Sequence, residues 1–152
     1  MIKVNYRALG MLSTNCYVVE NPDSQKVLIV DPGDSPLEIE RQIDEIDGDP
    51  EAILLTHGHY DHFCAVPGLK EHYPEIQLMA AEKEVPLLSD PRKNYSASAI
   101  GAPVTLQPDR LLKEGDKIEL DELEFTVWET PGHTAGCLTY FCGDAIFTGD
   151  TL

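Results

Sequence analysis

The apolar positions of this chain fall into short runs separated by turn residues, and the runs change character near the middle. Residues 2–7 and 15–19 read as strands joined by a turn around Gly10. Lys26–Val30 is β-branched and apolar, and Asp31-Pro32-Gly33 ends it with turn chemistry. Ser35-Pro36 then opens a helix, with serine at the cap and proline in the first turn. Leu37, Ile39, Ile43 and Ile46 supply its expected buried face, and Gly48 stops it. Residues 51–55 form the next strand. Residues 63–73 read as a helix on the spacing of Phe63, Val66, Leu69 and Tyr73, although Pro67-Gly68 interrupts the pattern. Residues 76–80 make a strand and residues 82–88 a short helix.

Residues 89–109 are rich in Pro, Ser, Asn and Ala, a long connection of the kind that is often functional. Short strands follow at 117–120, 123–129, 137–142 and 145–148, with Asp121-Glu122 and Gly143-Asp144 as hairpin turns. The first half alternates strand and helix, and the second is strand-rich. That order fits two sheets packed face to face with helices outside, in one α/β (α+β) domain spanning residues 1–152. A length of 152 residues is enough for one real core and little more.

Composition narrows the partners. Apolar residues at 42% and charged residues at 25% are the profile of a soluble globular protein. A net charge of −16 repels phosphate backbones and anionic lipid, which argues against nucleic-acid and membrane partners. Anionic small molecules stay open, because bound metal ions reverse the sign locally. No apolar run approaches the roughly 20 residues of a spanning helix, and the N-terminus has no signal-peptide pattern. Cys16, Cys64, Cys137 and Cys142 form no CxxC pair and read as small core residues. Free thiols in a leaderless chain suit the cytoplasm.

Three of the five histidines lie in Thr56-His57-Gly58-His59-Tyr60-Asp61-His62, directly after the apolar Ile53-Leu54-Leu55. Imidazole and carboxylate are the usual nitrogen and oxygen ligands of zinc and related divalent ions. In an extended turn residues two apart point the same way, so His57 and His59 can grip one ion. Asp61 and His62 fall where the next helix is expected to begin. A helix N-terminus favours carboxylate and neutral imidazole, the states a metal needs. Thr130-Pro131-Gly132-His133-Thr134-Ala135-Gly136 follows another strand, and Thr148-Gly149-Asp150 a third. Donors after three separate strands suit a site on one edge of a sheet sandwich.

These segments resemble the motifs of the metallo-β-lactamase-fold hydrolase superfamily. His57, His59, Asp61 and His62 match its HxHxDH motif, residues 130–136 its TPGHTxG segment, and residues 148–150 its Gly-Asp segment. Asp31-Pro32-Gly33 resembles its early Asp-Pro-Gly turn, so the likeness runs along essentially the whole chain in order. The resemblance implies a four-layer αββα sandwich. It implies one metal held by His57, His59 and His133, and a second held by Asp61 and His62, with Asp150 bridging the two. Two divalent ions are implied, zinc first, with iron or manganese as alternatives. A hydroxide between them would be the nucleophile, since metal binding lowers the pKa of water towards about 7. Asp61 would also handle a proton as the catalytic residue.

Thr14-Asn15-Cys16-Tyr17 and residues 148–152 look most like the short bacterial glyoxalase II-like group. That likeness implies hydrolysis of a small-molecule thioester of the hydroxyacylglutathione type. The family continues past the Gly-Asp segment and supplies a final histidine, whereas this sequence stops at Leu152 and its remaining His72 reads as a surface residue. The expectation is therefore a sandwich lacking its C-terminal elements. A catalytically inactive fragment with a partial metal site is one alternative. A mononuclear iron persulfide dioxygenase using His57, His133 and Asp150 is the other. Oligomeric state is left open.

Overall fold

The computed structural model describes residues 3–9, 14–96, 104–121, 123–131, 136–143 and 145–147. The first sheet has six strands in sequential order: β1 (Lys3–Leu9), β2 (Thr14–Glu20), β3 (Lys26–Val30), β4 (Asp49–Leu54), β5 (Gln77–Ala81) and β6 (Arg110–Leu112). β1, β2 and β3 pair antiparallel, whereas β3 to β6 run parallel. Parallel neighbours need crossovers. These are α1 (Pro36–Glu45) between β3 and β4, and α2 (Val66–His72) between β4 and β5; α3 (Val85–Leu88) lies between β5 and β6. The second sheet is antiparallel, in the order β10 (Ala145–Phe147), β9 (Leu138–Cys142), β8 (Leu123–Glu129) and β7 (Lys117–Leu120).

Period-two alternation divides the apolar residues of the first sheet between two cores. Val27, Ile29, Ile53 and Leu78 pack with Ile39 and Ile43 of α1 and Val66 and Leu69 of α2. Leu28, Val30, Leu54 and Met79 pack instead with Phe125, Val127, Leu138 and Tyr140 of the second sheet. Each such buried side chain contributes about 1.5–3 kcal/mol. The described residues thus stack as helices, sheet and sheet. The second helical layer of the expected four-layer sandwich is not among them. On the outer face of the second sheet Trp128 and Ile146 are exposed, and Trp128 meets Phe141 edge-on at 4.5 Å.

Several local features differ from the sequence expectation. Ile39 and Ile43 are buried as expected, but Leu37 is 78% exposed. Two residues turn a helix by about 200°, so Leu37 cannot share a face with Ile39. Ser35 occupies the N-cap position in a left-handed conformation and makes no side-chain cap hydrogen bond. The helix expected over 63–73 starts later, at Val66, with Pro67 in its first turn, where no N–H is required. A 3-10 turn, Tyr60–His62, precedes it. β6 lies inside no expected strand.

Gly68 marks where α1 meets α2. A Cβ there would lie 2.9 Å from Pro36 Cγ and 3.0 Å from Pro36 Cβ, and a proline ring cannot swing aside. Gly68→Ala should therefore destabilise the protein by about 1–3 kcal/mol through overpacking. A lower urea midpoint at unchanged slope would show it, and an unchanged midpoint would show that the helices separate freely.

Candidate metal centre

Because β3, β4 and β5 are parallel, their C-terminal ends share one edge of the sheet. Asp31 leaves β3, the 56–62 segment follows β4, and a second 3-10 turn, Glu82–Glu84, follows β5. The second sheet joins this edge. The Leu138 N–H donates to the Thr56 carbonyl at 2.7 Å, and the Thr130 N–H to the Cys137 carbonyl at 2.8 Å. Tyr140 donates its hydroxyl to the Leu55 carbonyl. Burial raises the Tyr140 phenol well above its ordinary pKa and keeps it a donor.

Among the described residues, His57, Asp61 and His62 bring one ligating atom each to within 4.8 Å of one another. His57 and His62 are each 1% exposed, and their ring centroids are 3.9 Å apart. Asp61 Oδ2 lies 3.4 Å from His62 Nε2. Two imidazoles and a carboxyl group are a donor set suited to zinc, iron or manganese, so these residues fit a divalent ion. His59 stands beside the group, with its ring 5.0 Å from that of His57 and 5.0 Å from that of Tyr95. His57 thus stands beside Asp61 and His62 on one side and His59 on the other. The expected ligands His133 and Asp150 lie outside the described residues, as do Thr148 and Gly149.

Asp31 has a part in the site that its sequence context did not reveal. It is 1% exposed and accepts hydrogen bonds from the Thr56 N–H at 2.8 Å and the Thr56 hydroxyl at 2.6 Å. Its Oδ2 also lies 2.9 Å from His62 Nδ1, an electrostatic approach rather than an aligned hydrogen bond. Thr56 Oγ1 is in turn 3.4 Å from His57 Nδ1. Asp31 and Thr56 therefore line the Nδ1 edges of both buried rings, the place from which outer groups orient ligating histidines. Cys64, two residues after His62, is half-buried. Burial, and then the charges of Asp34 and Asp61, push its thiol up to about 11.

A two-sheet sandwich with histidine and carboxyl donors at one strand edge is the architecture of the metallo-beta-lactamase superfamily. The model of that superfamily matches residues 9–152, and the chain belongs to it. A hydroxyacylglutathione hydrolase of Erwinia tasmaniensis is 36% identical over 149 residues, which are 98% of this chain and 51% of that protein. The chain thus spans about half the length of that curated relative. The crystal structure of the BLEG-1 B3 metallo-beta-lactamase superposes with a TM-score of 0.87 at 34% identity, covering 100% of this chain and 73% of that one. TTHA1623 in a di-iron-bound form gives 0.77 at 32% identity, covering 94% and 70%. The fold is that of a metal-dependent hydrolase family. Among the described residues no helix is long and apolar enough to cross a membrane.

Proposed function

We propose that this protein is a dinuclear metal-dependent hydrolase of small-molecule thioesters of the hydroxyacylglutathione type. The observation that carries this reading is the His57–Asp61–His62 group, with both rings buried, at the sheet edge of a chain similar to a hydroxyacylglutathione hydrolase. His57, His59 and His133 would hold one ion, Asp61 and His62 the other, and Asp150 would touch both. Such ions acidify water and polarise an acyl carbonyl.

The chain's own residues set up the rest. Asp31 and Thr56 stand at the Nδ1 edges of the His62 and His57 rings. Asp61, whose side chain is 19% exposed, stands between that buried wall and solvent, where it can take a proton and release it. A net charge of −16 makes a small molecule at this edge a better fit than a nucleic acid or a membrane. The cytoplasm is the proposed compartment.

The test is turnover of S-lactoylglutathione by protein loaded with zinc, iron or manganese, with metal content measured alongside. Turnover should vanish with a chelator and return with metal. No turnover at full metal content would sink the thioester reading. The likeness to BLEG-1 favours β-lactam hydrolysis as a second reading. Turnover of a chromogenic cephalosporin without thioester turnover would put it first. Oxygen uptake with a persulfide by the iron-loaded protein would move the assignment to a dioxygenase.

A further inference from the structure

Glu84 ends the 3-10 turn that follows β5, and it is 1% exposed. Its two carboxyl oxygens serve two different loops. Oε1 accepts the Gly58 N–H at 2.9 Å, and Oε2 accepts the Gly136 N–H at 3.2 Å. Gly58 lies between His57 and His59 on the loop leaving the first sheet. Gly136 ends the 130–136 segment that enters the second sheet, three residues after His133. One side chain therefore ties Gly58, between two proposed ligands, to Gly136 at the entry to the second sheet.

The approach is close enough to demand glycine. A Cβ on Gly136 would fall 2.9 Å from Glu84 Cγ, 2.9 Å from Glu84 Oε2 and 2.9 Å from Lys83 Cβ. The same turn is stitched to the second sheet again by Lys83, whose Nζ lies 2.8 Å from Glu129 Oε2 at the end of β8. That outer pair is exposed and contributes little. The buried contact is different. Removing the Glu84 carboxyl would leave two inward backbone donors without an acceptor, a cost comparable to a lost hydrogen bond for each.

We propose that Glu84 is a positioning residue for the metal centre, a brace that holds the Gly58 backbone, between His57 and His59, against Gly136 just before β9. This rests on the metal-binding reading above. Metal sites lose about 10–100-fold in affinity when an outer partner of the ligands is removed, and Glu84 holds the backbone between two proposed ligands, His57 and His59.

Glu84→Gln keeps the shape but turns an amide NH2 toward one of the two backbone donors. The measurement is cobalt(II) affinity, by competition with a chromogenic chelator, together with the visible d–d spectrum of the cobalt protein. Glu84→Gln should bind cobalt about 10–100-fold more weakly than the wild type, with an altered spectrum and an unchanged far-ultraviolet dichroism. Gly136→Ala, which crowds Glu84 from the other side, should change the spectrum in the same sense, and it serves if Glu84→Gln does not fold. A residue that only stabilised the fold would lower the melting temperature of the metal-free protein and leave affinity and spectrum alone. Folded variants with wild-type affinity and spectrum would overturn the proposal. A wild-type protein that takes up no cobalt would overturn the metal reading and this inference with it.

Discussion

Replacing Asp31 with alanine should destabilise the protein by about 2–4 kcal/mol, since two buried donors lose their acceptor at roughly 1–3 kcal/mol each. The side chain is 1% exposed, and its loss leaves the Thr56 N–H and hydroxyl facing a void. Alanine is also a poor fit to the backbone, because Asp31 sits at φ 52, in the left-handed region. That conformation costs most residues roughly 1–2 kcal/mol but is tolerated by Asp and Asn. Asp31→Asn separates the two effects. It keeps the backbone preference and one acceptor, so it should lose distinctly less. Urea unfolding of the two variants beside the wild type is the measurement. Equal losses for alanine and asparagine would assign the effect to the side-chain oxygens alone, and no loss in either would remove Asp31 from the support of the site.

Asp61→Asn should lower kcat for the thioester by about 10²–10⁴-fold, the usual span for deleting a positioned proton-transfer group. Stability should change less than for Asp31→Ala, because the Asp61 side chain is 19% exposed whereas Asp31 is buried. The pairing of a large kinetic effect with a small thermodynamic one separates Asp61 from Asp31. Steady-state kinetics at verified metal content decide the matter. Activity within tenfold of wild type would take Asp61 out of the chemistry and leave it a ligand at most.

Most of the strands and the strand-end location of the 56–62 donors were legible because both follow from local pattern. Lys26–Val30 is apolar and β-branched, and it is β3 at the expected bounds. Leu123–Glu129 alternates, and it is β8 with Phe125 and Val127 turned to the core. Helix faces were read less well. The apolar Leu37 looks like a core residue until the rotation from Ile39 is counted. The α2 start moved because Pro67 suits a first turn and not a helix interior. β6 has three residues, two of them exposed, and its place is set by pairing with β5 rather than by its own sequence.

The HxHxDH segment announced itself, since its chemistry is contiguous. The residues that support it did not. Asp31 acts on Thr56 and His62 across a crossover, and Glu84 acts on Gly58 and Gly136 from a third strand end. Asp-Pro-Gly looks like an ordinary turn, and Glu84 is one acid among 27 Asp and Glu. Only its burial, invisible in a single sequence, sets it apart.

The edge shared by β3, β4 and β5 has a consequence for how an ion would be met. His57 and His62 are packed at 1% exposure, with their rings 3.9 Å apart, by contacts that exist only once the crossovers are in place. The conformational entropy of fixing these side chains is lost when the sheet forms, not when an ion arrives. An ion bound there would meet two rings already packed, so its capture would cost little further ordering of them and would be set more by the loss of water and protons.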